Sequence, residues 1–341
     1  MTSTKHTTAP LSRGPTPLSV SVVVITWNRP DYVERCLEHL DRQRTRPKQV
    51  LVVDASPGEE TAHVVSQFPQ VTRIAFPAGA GHMTRSRNES LLHASGDVIA
   101  FLDDDAFARP EWHTALLRAY QDPTIAALVG RTCNGRPGEE RVEPGSIGRL
   151  LADGTLTGNF AADSDHVVEV DHGIGANMSF RRDVLARLGG FRDDYPGTAL
   201  REDTDMFLRI KKLGLRSVFT PAAVVDHVAA PHVKGRRFDW RYQFWGNHNH
   251  LLLLARHFGL RAPVLWHWAG RSLLHSLSTA RLRDPRSLTR PVVALLGICL
   301  GGLDALRSVR HRRDVVRTDE TGRRISASLS ISPHDRQAPC H

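Results

Sequence analysis

From residue 19 onward, apolar positions alternate between two registers. SVSVVVIT (19–26) is a continuous β-branched run of the kind that forms a strand covered on both faces. DYVERCLEHLDRQ (31–43) follows with apolar residues at 33, 36, 37 and 40, a helical period that Asp31 would open. The alternation continues with a strand in QVLVVDAS (49–56), a helix in GEETAHVVSQF (58–68) and a short strand in VTRIAF (71–76). A helix in TRSRNESLLHAS (84–95) then leads to a strand in DVIAFLDDD (97–105). Strands alternating with helices predict an α/β domain with a mostly parallel, Rossmann-like sheet flanked by helices. Ligands bind such sheets beyond the carboxyl ends of the strands, where Thr26 to Arg29, Asp54 to Ser56 and Asp103 to Asp105 would converge.

The pattern weakens over 131–170, a Gly-rich stretch that reads as loops or short antiparallel strands above the site. GIGANMSFRRDVLARLGGF (173–191) reads as loop, strand and helix closed by Gly189 and Gly190. EDTDMFLRIKKLG (202–214) is a helix with an acidic start and a basic end, as the helix dipole prefers, and SVFTPAAVVDH (217–227) is a last strand ending in His227. Beyond 231 helices are expected, among them an aromatic stripe of Trp240, Phe244, Trp245, Leu251 and Leu252 with Arg237, Arg241 and Arg256 beside it. The apolar run 291–306 is broken by Gly297, Gly301, Gly302 and Asp304, too short and interrupted for a spanning helix, and reads as buried or interfacial. Residues 1–17 and 313–341 offer little to bury and read as disordered tails.

Charge changes this picture in one region. The net charge of +9 is concentrated late: residues 231–290 hold eleven Lys and Arg against two Asp and Glu. Such a flank suits an anionic membrane surface, a phosphate-rich substrate or simply a solvated face of a packed helical subdomain. A nucleic-acid partner is not expected, because no RRM, KH or helix-turn-helix signature accompanies the charge. Four scattered cysteines without CxxC spacing argue against a disulfide framework or zinc knuckle, and with no signal peptide a cytoplasmic location is expected.

Asp103, Asp104 and Asp105 pose the chemical question, since adjacent carboxylates at the end of a core strand repel one another unless something positive sits among them. A divalent cation that also grips a diphosphate would supply that charge. A solvated turn with one helix cap is the plainer alternative.

In order and spacing, VVVITWNRPDYVERCLEHL, VLVVDAS, RSRNESLLHASGDVIAFLDDDA, GANMSFRRDVLARLGGF, REDTDMFLRI and VVDH resemble the family 2 glycosyltransferases, over roughly residues 18–230. The resemblance implies a GT-A fold with a C-terminal helical extension. It divides the chain into a nucleotide-sugar-binding half (18–130), an acceptor-binding and catalytic half (131–230) and a basic helical extension (231–312). It also implies an inverting, metal-dependent transfer from a nucleotide-diphosphate sugar to a hydroxyl of a glycan, lipid-linked or small-molecule acceptor. Polysaccharide, cell-envelope glycan or glycosylated-metabolite synthesis would be the setting, with peripheral contact at the inner face of the membrane as one reading of the basic third.

Residue by residue, the resemblance implies that Thr26, Asp54, Arg87, Asp103 and Asp104 serve the donor nucleotide, with Arg87 near Asp54. Asp105 and His227 would hold Mn²⁺ or Mg²⁺, the imidazole favouring manganese. Asp203 would be the general base with Glu202 beside it, and Asn177 and Asp205 would lie near the sugars. The chain departs from the family at Ala55, where members often carry a second Asp or Asn. A non-catalytic sugar-nucleotide-binding scaffold is the alternative from another class. A sugar-1-phosphate nucleotidyltransferase would need a Gly-rich basic loop after the first strand, where this chain has TWNRPD.

Overall fold

The structure is a computed structural model that describes residues 18–228, 239–279, 288–308 and 315–331. Four strands lie parallel in the order β3 (Val71–Ala75), β2 (Gln49–Asp54), β1 (Val20–Thr26) and β4 (Val98–Asp103). The sheet then continues through β8 (Asn177–Arg181), β6 (Ile125–Cys133), β9 (Arg216–His227) and β5 (Ala106–Ala108), while β7 (Val168–Glu169) pairs with β9 off that path. β6 runs parallel to β9, but β8 is antiparallel to both its neighbours, and β5 and β7 are antiparallel to β9. The parallel expectation therefore holds for the first half, and the second half is mixed.

Alternation along β1 shows how the sheet is covered. Val20, Val22 and Val24 join one core with α1 (Pro30–Asp41), α2 (Glu60–Ser66) and α4 (Trp112–Ala119). Val23 faces the other way, into a core shared with α3 (Met83–His93), α5 (Arg182–Leu188) and α6 (Glu202–Lys212). A third cluster centres on α7 (Trp240–Phe258) with contributions from α8 (Pro263–Ser278) and α9 (Arg290–Ser308). Helix α1 opens at Pro30 rather than Asp31, since proline has the φ of a first turn and lacks only an amide hydrogen that the turn leaves unused.

One expectation about the C-terminal part needs correction. Residues 320–330, read as part of a tail, form α10 (Glu320–Ser330), capped by the Asp319 carboxylate accepting from the Gly322 amide at 2.7 Å. Ile325 and Leu329 of α10 enter the second core, and Arg182 donates to the carbonyls of Ala94 and Leu329. Two apolar residues four apart suffice because a preformed surface receives them. The expected tail at 1–17, like residues 332–341, lies outside the described residues.

The stripe on α7 is mostly covered, with Trp240 at its start exposed. Leu251 and Leu252 are buried, as are His248 and His250, and Arg256 is buried against Asp194 at 2.9 Å. Arg237 lies outside the described residues. Helix α9 packs on α7 through Gly297 and Gly301, where a Cβ would come within 2.6 Å of the Phe244 and His248 carbonyl oxygens.

Candidate active site

The strand registers set Asp54 beside Thr26 and Asp103 beside Ile25, so the carboxyl ends of β2, β1 and β4 end level. The Thr26 hydroxyl donates to Asp104 at 2.8 Å, and Arg29, from the loop after β1, donates to Asp104 at 3.0 Å and lies 3.7 Å from Asp105. Part of the positive charge that three adjacent carboxylates demanded is therefore Arg29, which the sequence reading did not single out. Its only signal was its place in the loop that faces the aspartates. Burial pushes the Asp104 carboxyl up to about 6 against the pull of Arg29, and burial likewise raises Asp103 despite Arg87.

Asp54 is fully buried and accepts from the Ser56 amide and from Arg73, both at 2.9 Å. Arg87, expected near Asp54, pairs with other carboxylates. Arg87 is 1% exposed on α3, forms an ion pair with Glu202 and lies 3.7 Å from Asp103. Gly175 permits this placement, because a Cβ there would strike the Arg87 guanidinium.

Asp103, Asp105 and His227 bring ligand atoms within 4.8 Å of one another. The register explains this, since Ala106 of β5 pairs with His227 of β9 and so sets Asp105 beside the imidazole. His227 Nδ1 lies 3.1 Å from the Asn134 side-chain oxygen, and Nε2 lies 3.3 Å from Asp105. With Nδ1–H donated to Asn134, the Nε2 lone pair faces a carboxylate, an arrangement that a cation or proton between them satisfies. Two carboxylates and one imidazole suit Mn²⁺ or Mg²⁺, so the donor set fits a divalent metal.

The acidic start of α6 holds the second group. Glu202 is buried against Arg87, and burial with the neighbouring Asp203 charge pushes its carboxyl up to about 7, opposed by Arg87. Glu202, expected beside Asp203, thus has Arg87 as its ion-pair partner. Asp203 is half-buried and accepts from the Thr204 amide at 2.6 Å.

Asp205, expected near the sugars, is fully buried instead. Burial raises its carboxyl, but hydrogen bonding from His257, at 3.0 Å, and the nearby Arg209 and Arg192 more than offset this and hold it far below the usual range. The Tyr195 hydroxyl completes the cluster at 3.1 Å, which fastens α6 to α7. Asn177 is corrected too. Its side chain accepts from the Trp112 indole at 2.9 Å and donates to the carbonyls of Arg131 and Ala223, leaving it a clamp between strands and α4.

Arg201, just before Glu202, was missed. Its φ of +88° is left-handed, a conformation that costs a side-chain-bearing residue on the order of 1–3 kcal/mol. Its Nε donates to His250 Nδ1 at 2.9 Å, and His250 Nε2 donates to the Gly154 carbonyl at 2.8 Å, which fixes the imidazole tautomer.

Replacing Arg87 with Met is expected to destabilise the fold more at pH 8 than at pH 5. Glu202 already binds its proton more tightly folded than unfolded, and loss of its cation strengthens that preference. Both folded proteins keep the Glu202 proton up to about 7, where wild type begins to release it and the variant does not. The variant's stability therefore falls relative to wild type only above that value, by about 1 kcal/mol more at pH 8 than at pH 5. Urea denaturation at both pH values checks this, and an equal loss at each would remove Glu202 from the explanation.

Residues 21–189 match the family profile described as Glycosyl transferase family 2. The glucosyl-dolichyl phosphate glucuronosyltransferase of Haloferax volcanii is 27% identical over 67% of this chain and 75% of its own. The validoxylamine A glucosyltransferase of Streptomyces hygroscopicus subsp. limoneus is also 27% identical, over 87% of this chain and 70% of its own. Among solved structures, a mannosyltransferase from Pyrobaculum calidifontis, in complex with GDP-Man and Mn²⁺, aligns with a TM-score of 0.51 at 18% identity, covering 87% of this chain and 90% of that one. The chain belongs to the family 2 glycosyltransferases and has their GT-A fold. It is an enzyme of sugar transfer that acts on nucleotide-sugar donors.

Proposed function

We propose that this glycosyltransferase is inverting and divalent-metal-dependent, with Asp103, Asp105 and His227 as the metal-holding group and Asp203 as the general base. The observation that carries the reading is Arg87, whose buried guanidinium lies between Asp103 and Glu202 and so ties the carboxylate cluster to the start of α6. Residues more than a hundred positions apart in the chain are thereby held at one locus.

In this reading, a hydroxyl oxygen of the acceptor attacks the anomeric carbon of the donor sugar from the face opposite the diphosphate. The new C–O bond forms as the bond from the anomeric carbon to the phosphate oxygen breaks, with inversion. Asp203 accepts the hydroxyl proton, and the nucleoside diphosphate leaves with the bonding electron pair. A bound divalent metal supplies charge neutralisation for that diphosphate. Thr26 and Asp104 shape the donor side, Asp54 borders the nucleotide pocket, and Glu202 acts by holding Arg87 in place. Mn²⁺ is the preferred ion, supported by the imidazole in the donor set.

The acceptor is a glycan, a lipid-linked sugar or a small metabolite. The names of two relatives support the last two classes, one glycosylating a glucosyl-dolichyl phosphate and the other validoxylamine A.

A thermal-shift series with UDP-, dTDP- and GDP-linked sugars, each with Mn²⁺, Mg²⁺ or EDTA, tests the reading. A ligand that binds only the native state raises the melting temperature, so one nucleotide class should do so with metal and not with EDTA. Equal shifts with metal and EDTA would reject the metal-dependent site.

Arg201 adds a cation one residue from Glu202 and two from Asp203, and it has a test that separates strain from function. Arg201→Gly is expected to keep the fold, because glycine adopts the left-handed conformation freely, while kcat/KM falls about tenfold through loss of the positive charge. An unchanged kcat/KM would leave Arg201 without a part in the reaction.

A further inference from the structure

Three helices outside the catalytic core leave large apolar side chains in the open. On α9, Val292, Leu295, Leu296, Cys299, Leu303 and Leu306 are all exposed, and Leu300 beside them is 45% exposed. At 3.6 residues per turn they occupy one arc of about 140°, on the side of the helix opposite Gly297 and Gly301, which meet α7. Arg307, in the last turn, is the one charged residue on that arc. Helix α8, packed beside α9, has its own exposed stripe of Trp266, Leu274 and Leu277, the last two 67% and 53% exposed. Trp240, at the start of α7, is 62% exposed.

Singly exposed leucines are ordinary, but a run of this length without interrupting charge marks a surface built to be covered. Its occupant is indicated by charge. The described residues of this region include exposed Arg241 at the start of α7, Arg261 ahead of α8, and Arg290 and Arg307 at the two ends of α9. Between residues 231 and 312 the whole chain carries fourteen Lys and Arg against three Asp. No described helix is long and apolar enough to cross a membrane.

We propose that the exposed faces of α8 and α9, with Trp240, dock on the surface of an anionic phospholipid bilayer. The leucines enter the outer acyl region, the tryptophans sit at headgroup level, and the arginines meet lipid phosphates. A second copy of the chain is disfavoured, because apposing two such faces would bring like-charged arginines together. The buried histidines of α7 do not oppose the proposal, since they point into the protein. The inference deepens the proposed transferase reading by placing its acceptor in the lipid-linked class, yet the surface can be tested without any acceptor.

Full-length protein is mixed with sedimentable vesicles of phosphatidylcholine alone or with about one third phosphatidylglycerol, a fraction chosen to exceed the charge of a typical leaflet. Wild type is expected to sediment with the anionic vesicles, more weakly with the neutral ones, and to be released by salt. The double variant Leu296→Asp with Leu303→Asp should lose binding about a hundredfold or more while keeping its melting temperature and its thermal response to donor nucleotides. Wild type that stays in the supernatant with both vesicle types would overturn the proposal. So would wild type that is dimeric by analytical ultracentrifugation without vesicle binding, whose dimer the double variant dissociates. Vesicle binding without any nucleotide response would instead leave the surface standing and reject the metal-dependent donor site proposed above.

Discussion

Asp105→Asn is expected to abolish the difference between Mn²⁺ and EDTA in donor-induced thermal stabilisation and to lower turnover about 10²–10³-fold. The argument is geometric. Asp105 lies 3.3 Å from His227 Nε2 and 3.7 Å from Arg29, and with Asp103 it completes the group whose ligand atoms fall within 4.8 Å. Asparagine keeps the shape and one carbonyl oxygen but removes the negative charge that would hold a hard cation. The apo fold should persist, because Arg29 retains Asp104 at 3.0 Å as its nearer partner. Metal titration followed by melting temperature measures the effect directly, and an undiminished manganese response would shift the metal role away from Asp105.

Asp203→Asn should produce the opposite division of effects. kcat is expected to fall about 10²–10⁴-fold, the usual scale for a lost general base, while donor affinity changes by no more than about twofold. Among the described residues Asp203 forms no ion pair, and its recorded hydrogen bonds come from the amide and hydroxyl of Thr204, which an asparagine oxygen can also accept. Its contribution is therefore a proton-accepting oxygen rather than a structural one. Single-turnover rates and donor binding should be measured on the same preparation. Donor affinity reduced as far as in Asp105→Asn would merge the two roles and refute the assignment of Asp203 as base.

Much of the fold over the first part of the chain was legible in the sequence alone. The β-branched runs at 19–26 and 49–54 and the apolar stripe at 33, 36, 37 and 40 each satisfy a local period, and the helices and strands formed where the period ran. Three carboxylates ending a buried strand were also a local signal, because the cost of unpaired charge does not depend on which partner relieves it.

The partners were not legible. Glu202 and Asp205 look alike in REDTDM, yet one faces Arg87 of α3 and the other faces His257 of α7 and Tyr195. Nothing in their spacing distinguishes a group behind the site from one in a structural cluster. Asn177 resembled a substrate contact until its side chain proved to be saturated by Trp112, Arg131 and Ala223. The C-terminal stripe left a packed subdomain and a membrane-facing helix both open, and the structure shows α9 covering part of the stripe on α7 and presenting its own leucines instead.

The sequence by itself determined the order of strands and helices from β1 to β4, the placement of Thr26, Asp54 and the Asp103–Asp105 group at strand ends, and the family whose motifs the chain carries. These depend on side-chain periodicity and backbone propensity, which act over a few residues. The tertiary structure alone decided that Arg29 and Arg87 are the cations among the carboxylates and that α8 and α9 leave an apolar surface in the open. Those outcomes depend on strand register and helix packing between segments far apart in the chain, where a single residue of slip would separate the groups that now meet.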